Sequence, residues 1–106
     1  MTESTDALAR RVGSLNRDLA ATLREHEEFY KELLPHVFFG EVSPWAVDRA
    51  ASAELEPLLT LLEDAYRTGD QDVRDLIGAS FIENVEDNPT IVDRLGPNLR
   101  AAANPW

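Results

Sequence analysis

Apolar positions recur every three or four residues along most of the chain, a period that predicts helices throughout. Leu8, Val12, Leu15, Leu19, Leu23, His26, Tyr30 and Leu33 make one stripe, which predicts a single long amphipathic helix from about Asp6 to Leu34. Ser4 or Thr5 is its expected N-cap, and Asp6 complements the dipole in the first turn. Gly13 interrupts the stripe at a cost of about 1 kcal/mol relative to Ala, so a break there is open to the chain. The outer face mixes Arg17, Asp18, Arg24, Glu25, Glu28, Lys31 and Glu32, as a solvated helix face does.

Pro35 ends this helix, because a residue before proline is driven out of the α region. Residues 36–42, His-Val-Phe-Phe-Gly-Glu-Val, are β-branched and aromatic, and predict either a tight loop packed into the core or a short extended stretch. Ser43-Pro44-Trp45 reads as a helix start, with Ser at the N-cap and Pro at the first helical position. That helix runs to about Ala51, and Pro57 demands a fresh start near Ala53 or Glu54.

Leu55, Leu58, Leu59, Leu62, Ala65 and Tyr66 form the next stripe, which Gly69 ends near Thr68. Asp70 caps the following helix, with Asp72 in its first turn. Its expected buried face is Val73, Leu76, Ile77, Ser80, Phe81 and Val85, and Gly78-Ala79-Ser80 makes one side small enough for close helix contact. Asn88-Pro89 breaks it, a short helix spans about Thr90 to Leu95, and after Gly96-Pro97 a last turn reaches Ala103. Two helices about a Gly-Asp turn make an αα-hairpin. The expected fold is therefore an all-α, single-domain bundle of about four to six helices over residues 1–106, with residues 1–5 flexible.

Composition narrows the chemistry. The 106 residues fit one core, and 43% apolar residues are enough to fill it. With no cysteine, disulfides, thiolate nucleophiles and thiolate metal sites are excluded, which suits a cytoplasmic protein. The polar, acidic N-terminus lacks the basic and apolar pattern of a secretory signal, so none is expected, and no apolar run is long enough to span a bilayer.

The net charge of −10 is unevenly spread. Residues 1–40 carry five bases and seven acids, whereas residues 41–106 carry five bases and thirteen acids. Direct nucleic-acid binding is disfavoured, since it depends on clustered Lys and Arg, and a field of this sign steers basic partners instead.

No catalytic, cofactor or metal constellation is visible. His26 lies on the apolar side of the first helix and His36 sits in a turn; the spacing of either with Glu41 matches no known metal pattern. Ser43 is explained as a cap and Ser80 as a small contact residue. The acids are the stronger candidates: Asp70, Asp72 and Asp75 about one helix end, Glu83, Glu86 and Asp87 about the other. The first group is compensated by a helix N-terminus. The second crowds a C-terminus, where the dipole disfavours anions, and a local rule broken without compensation points to a site. Phe38, Phe39 and Trp45, with the terminal Trp106, are aromatic candidates for an interface, although core packing explains most of them.

The runs Leu61-Leu62-Glu63-Asp64-Ala65-Tyr66, Gly69-Asp70 and Val73 to Asn84, with Pro35 to Gly40 and Leu95-Gly96-Pro97, resemble a family of small uncharacterised acidic bacterial proteins. Such families are often encoded beside polymorphic toxins, so the resemblance implies an immunity role and brings no catalytic residues. The expectation is a non-enzymatic protein-binding module that neutralises a basic toxin domain, with Asp70, Asp72, Asp75, Glu83, Glu86, Asp87, Trp45 and Phe39 in contact. The alternative is a regulatory or scaffold adaptor that binds through an apolar groove. A small enzyme using His26 or His36 with Glu41 ranks below both. The stripe of the first helix also permits a homodimer.

Overall fold

Helical segments follow one another from Thr5 to Ala103 in the computed structural model, which describes residues 4–103. Trp106 and residues 1–3 lie outside the described residues. The expected long first helix is two helices, α1 (Thr5–Gly13) and α2 (Arg17–Tyr30). Ser4 caps α1 by accepting from the Ala7 N–H at 3.1 Å, and Asn16 caps α2 by accepting from Leu19 at 2.9 Å. Gly13 lets the two approach: a Cβ there would stand 2.5 Å from Leu23 Cδ2 of α2. Arg10 then reaches Glu27 through both guanidinium nitrogens at 3.2 and 3.3 Å. The apolar stripe is real, and Leu8, Val12, Leu19 and His26 are buried. It is folded back on itself.

Lys31 ends α2 in the left-handed conformation (φ 62°), with its N–H on the Glu27 carbonyl at 2.8 Å. Leu34 is extended, as the following proline requires. Pro35 then opens α3 (Pro35–Asp48). Residues 36–42 are thus helical, neither loop nor extended stretch, and Ser43-Pro44 lies inside a helix instead of starting one. The burial of Phe38, Phe39, Val42 and Ala46, spaced as one helix face, explains the difference. Each buried Phe or Val contributes about 2 kcal/mol, which together exceed the roughly 3 kcal/mol cost of an interior proline. Ser43 Oγ donates to the Phe39 carbonyl at 2.9 Å, one turn back.

Arg49 ties off α3. Its guanidinium donates to Asp18 and Glu54 at 2.9 and 3.1 Å and stacks on Trp45, 4.6 Å from the ring centroid. Ser52 caps a 3-10 turn (Ala53–Leu55) that leads into α4 (Glu56–Thr68), with Pro57 in its first turn as the sequence requires. Gly69 ends α4 with φ −79°, so its smallness serves proximity: a Cβ would meet the Ala65 carbonyl at 2.5 Å and Val73 Cγ1 at 2.7 Å.

Asp70 caps α5 (Gln71–Ile77), accepting from Val73 at 3.1 Å. A π turn (Gly78–Ile82) and α6 (Glu83–Val85) continue it as one rod. Asn88 caps α7 (Pro89–Val92), and α8 (Pro97–Ala103) ends the described chain. Arg94 pins the connection before α4 by donating to the Ala50 and Ser52 carbonyls at 2.8 and 2.7 Å.

The rod packs on α3, α1 and α4 flank them, and α8 lies against α4 and the π turn. The whole measures 39 × 32 × 18 Å, a thickness that admits two layers of helix. Phe38, Phe39, Phe81, Leu62, Leu76 and Ile77 fill the middle. The fold is all-α, with no strand among the described residues, and no helix of them is long and apolar enough to cross a membrane.

Candidate functional site

The π turn shapes the surface that carries the acids. The Glu83 N–H reaches back to the Gly78 carbonyl, five residues earlier. A π turn takes up one residue more than an α turn, so Glu83 stands about seven α-helical steps from Asp75, two turns on and on the same face. That face forms one rim of a groove of about 720 Å³. Asp75, Glu83, Glu86 and Asp87 line the groove, and its walls include the small residues Gly78, Ala79, Ala102 and Ala103. Smallness along the rod and α8 keeps the groove open.

One cation shares it. Arg74 lies 5.8 Å from the Tyr66 ring centroid and donates to the Tyr66 carbonyl at 3.1 Å, so its charge serves the end of α4. Asp75 accepts from Gln71 Nε2 at 2.7 Å. Glu83, Glu86 and Asp87 are exposed and form no ion pair among the described residues. Asp70 and Asp72 stand at the other end of α5 and do not line the groove. Four of the six expected acids therefore gather on one surface.

The expected aromatic contacts separate from it. Phe39 is 1% exposed, edge-on to Phe38 with centroids 6.2 Å apart, and so cannot touch a partner in the folded protein. Trp45 is half-buried and donates from its indole N–H to Asp18 at 3.2 Å, away from the acidic groove. Among the described residues Phe29 is an exposed aromatic, 78% exposed and paired edge-on with Tyr30. Sequence reading passes it over because it sits just off the apolar stripe.

The histidines occupy two other places. His26 is buried, with Nδ1 2.9 Å from Glu41 and Nε2 accepting the Leu34 N–H at 3.0 Å. With Nε2 accepting, Nδ1 carries the proton and donates to Glu41. Both ring nitrogens are occupied in joining α2 to the residue before α3 and to the middle of α3. His36 reaches across to the π turn, with Nδ1 2.7 Å from Ser80 Oγ. The Ser80 carbonyl accepts from Asn84 Nδ2 at 3.0 Å, and the Ser43 hydroxyl, whose one hydrogen points to Phe39, lies 3.3 Å from it. A Ser–His pair needs a third group to orient the base, and no carboxylate bonds His36 among the described residues. The arrangement anchors the π turn to α3. It spans 44 positions, so nothing local in the sequence announces it.

No three His, Cys, Asp or Glu among the described residues gather closely enough to hold a metal ion. The Glu63 carboxyl is tuned by its surroundings. Partial burial pushes it up, but hydrogen bonds from the Asn98 side chain and the Leu99 and Asn98 N–H groups, with the Arg67 charge, outweigh that and hold it below the usual range.

Comparison with curated proteins finds no match, and comparison with solved structures finds none either. The family comparison does find one. The chain belongs to the family described as Domain of unknown function (DUF7674), whose model matches residues 10–105.

Proposed function

We propose that this chain is a non-enzymatic protein-binding module of the immunity or antitoxin type, acting in the cytoplasm on a basic toxin domain through its acidic groove. One observation carries the reading: Glu83, Glu86 and Asp87 line one rim of a groove, and no cation among the described residues is paired to them. Unpaired like charges held together at the end of a helix rod work against folding, and a basic surface supplies the missing partner. The acidity of the surrounding helices extends the same field and speeds encounter with such a surface. Of the aromatic residues that the adaptor alternative drew on, Phe38 and Phe39 are in the core and Trp45 is half-buried.

Calorimetry of the chain with the product of the neighbouring gene tests the reading. Binding is expected at low salt and weakens as salt rises. Replacing Glu83, Glu86 and Asp87 with Lys reduces the affinity at least about tenfold. No binding at low salt, or binding indifferent to the triple replacement, sinks it.

A further inference from the structure

A second groove runs between α1 and α4 and shares no lining residue with the acidic one. Its main part holds about 840 Å³, and a smaller part of about 390 Å³ continues it toward the start of α2, with Leu15 and Pro57 common to both. The apolar lining is Leu15, Ala53, Pro57 and Leu61. The charges are sorted by wall. Arg10, Arg11 and Arg17 come from α1 and the first turn of α2, while Glu54, Glu56 and Asp64 come from the 3-10 turn and α4. Asp18 is the exception, and Arg49 and the Trp45 indole already hold it, at 2.9 and 3.2 Å.

We propose that this groove docks an amphipathic helix of a partner protein, acidic on one flank and basic on the other. The walls are helices in contact, and the furrow between two helices is where a third seats its ridge. No strand among the described residues offers an edge for an extended peptide. Residues 54–64 span about 16 Å at 1.5 Å per residue, room for about three helical turns. Charge complementarity sets the flanks: acids meet Arg10, Arg11 and Arg17, and bases meet Glu54, Glu56 and Asp64. The present pairings of these groups, such as Arg10 with Glu27 and Glu56 with Arg94, are at the surface and exchange at little cost. Two copies of the chain do not fit the role, since one concave face does not fill another. The proposal stands whether or not the acidic groove binds a toxin.

The test is an NMR titration of the full 15N-labelled chain with three synthetic helical peptides of about fourteen residues. All share one apolar ridge. One carries Glu on one flank and Lys on the other, the second Glu on both, the third Lys on both. The mixed peptide is expected to shift the Leu15, Thr60 and Leu61 amides saturably, at least about tenfold more tightly than the all-Glu peptide. The all-Lys peptide is expected to perturb residues 83–87 instead. Thr60→Arg, exposed in mid-groove, is expected to weaken the mixed peptide at least about tenfold while the rest of the spectrum keeps its dispersion. Arg17→Glu, at an exposed helix start that tolerates an acid, provides a second variant with a several-fold loss. No shift at millimolar peptide, equal binding of mixed and all-Lys peptides in this groove, or concentration-dependent shifts of these amides without peptide would each overturn the proposal.

Discussion

Glu63 joins α4 to α8 with one carboxylate. Its Oε1 accepts the Leu99 N–H at 2.9 Å, and its Oε2 accepts the Asn98 N–H at 3.1 Å and the Asn98 side chain at 2.6 Å. Those backbone donors are orphans of a helix start, and a carboxylate is the strongest acceptor available to them. Gly96 clears the space, since a Cβ there would lie 2.6 Å from the Glu63 carboxyl carbon. Glu63→Gln removes the charge and turns an N–H toward donors, so we expect a loss of about 2 kcal/mol at pH 7 by urea unfolding. The folded-state pKa is lowered. The contribution is therefore present above the unfolded value near 4.3 and is lost as pH falls through the lower folded value. The gap between wild type and Glu63→Gln should narrow as the pH falls below the unfolded value; a constant gap would show that charge is not what the helix end uses. Gly96-Pro97 was legible as a boundary, but not the cap that fills it, because the partners stand 35 positions apart.

Gly13 and Gly40 separate two effects that a helical glycine combines. Beside Gly13 a new methyl meets Leu23 Cδ2 at 2.5 Å and Cβ at 3.1 Å, whereas at Gly40, inside α3, it meets nothing within 4 Å. Ala improves helix propensity by about 1 kcal/mol at either site, and overpacking costs about 1–3 kcal/mol only at the first. Gly40→Ala is expected to stabilise by about 0.5–1 kcal/mol and Gly13→Ala to destabilise by about 1 kcal/mol, read from urea midpoints at unchanged slope. The two sites also mark what the element pattern conveyed. The period of three to four placed Leu8, Val12, Leu19 and His26 on one buried face, which holds on both arms of the hairpin. The fold-back at Ser14–Asn16 keeps that face continuous, so periodicity alone does not register it; Gly13 and Asn16 do. In α3 the composition of residues 36–42 outweighed their spacing. Phe38, Phe39, Val42 and Ala46 carry the helical period, and tertiary burial overrides β-propensity. Ser43-Pro44 imitates a start because the motif is local, while the buried rows on either side of it are not.

For the whole molecule the net charge of −10 is a destabilising field that salt relieves. Three of its acids, Glu83, Glu86 and Asp87, stand at the end of the rod. Glu86 follows α6 directly, with its N–H on the Ile82 carbonyl at 2.8 Å, at the negative end of the rod's dipole. Asp87 has partial compensation, since Asn88 caps α7 one residue later. Glu83 and Glu86 have none. Sequence reading located this anomaly, and the acids do share a surface, but their alignment with Asp75 depends on a π turn that no local motif announces. Replacing Glu83, Glu86 and Asp87 with Lys moves the net charge two units per site, from −10 to −4. It also places cations where the dipole favours them. The free triple variant is therefore expected to be more stable than wild type by about 1 kcal/mol at low salt. That is about 4 °C in melting temperature for a domain of this size. In 1 M NaCl, where the Debye length falls to about 3 Å, most of the gain should vanish. Thermal melts at both salt concentrations decide it. A less stable triple variant would mean that the acids hold the fold together. A more stable one that no longer binds the neighbouring gene's product would mean that the chain keeps three charges against its own stability for the sake of a partner.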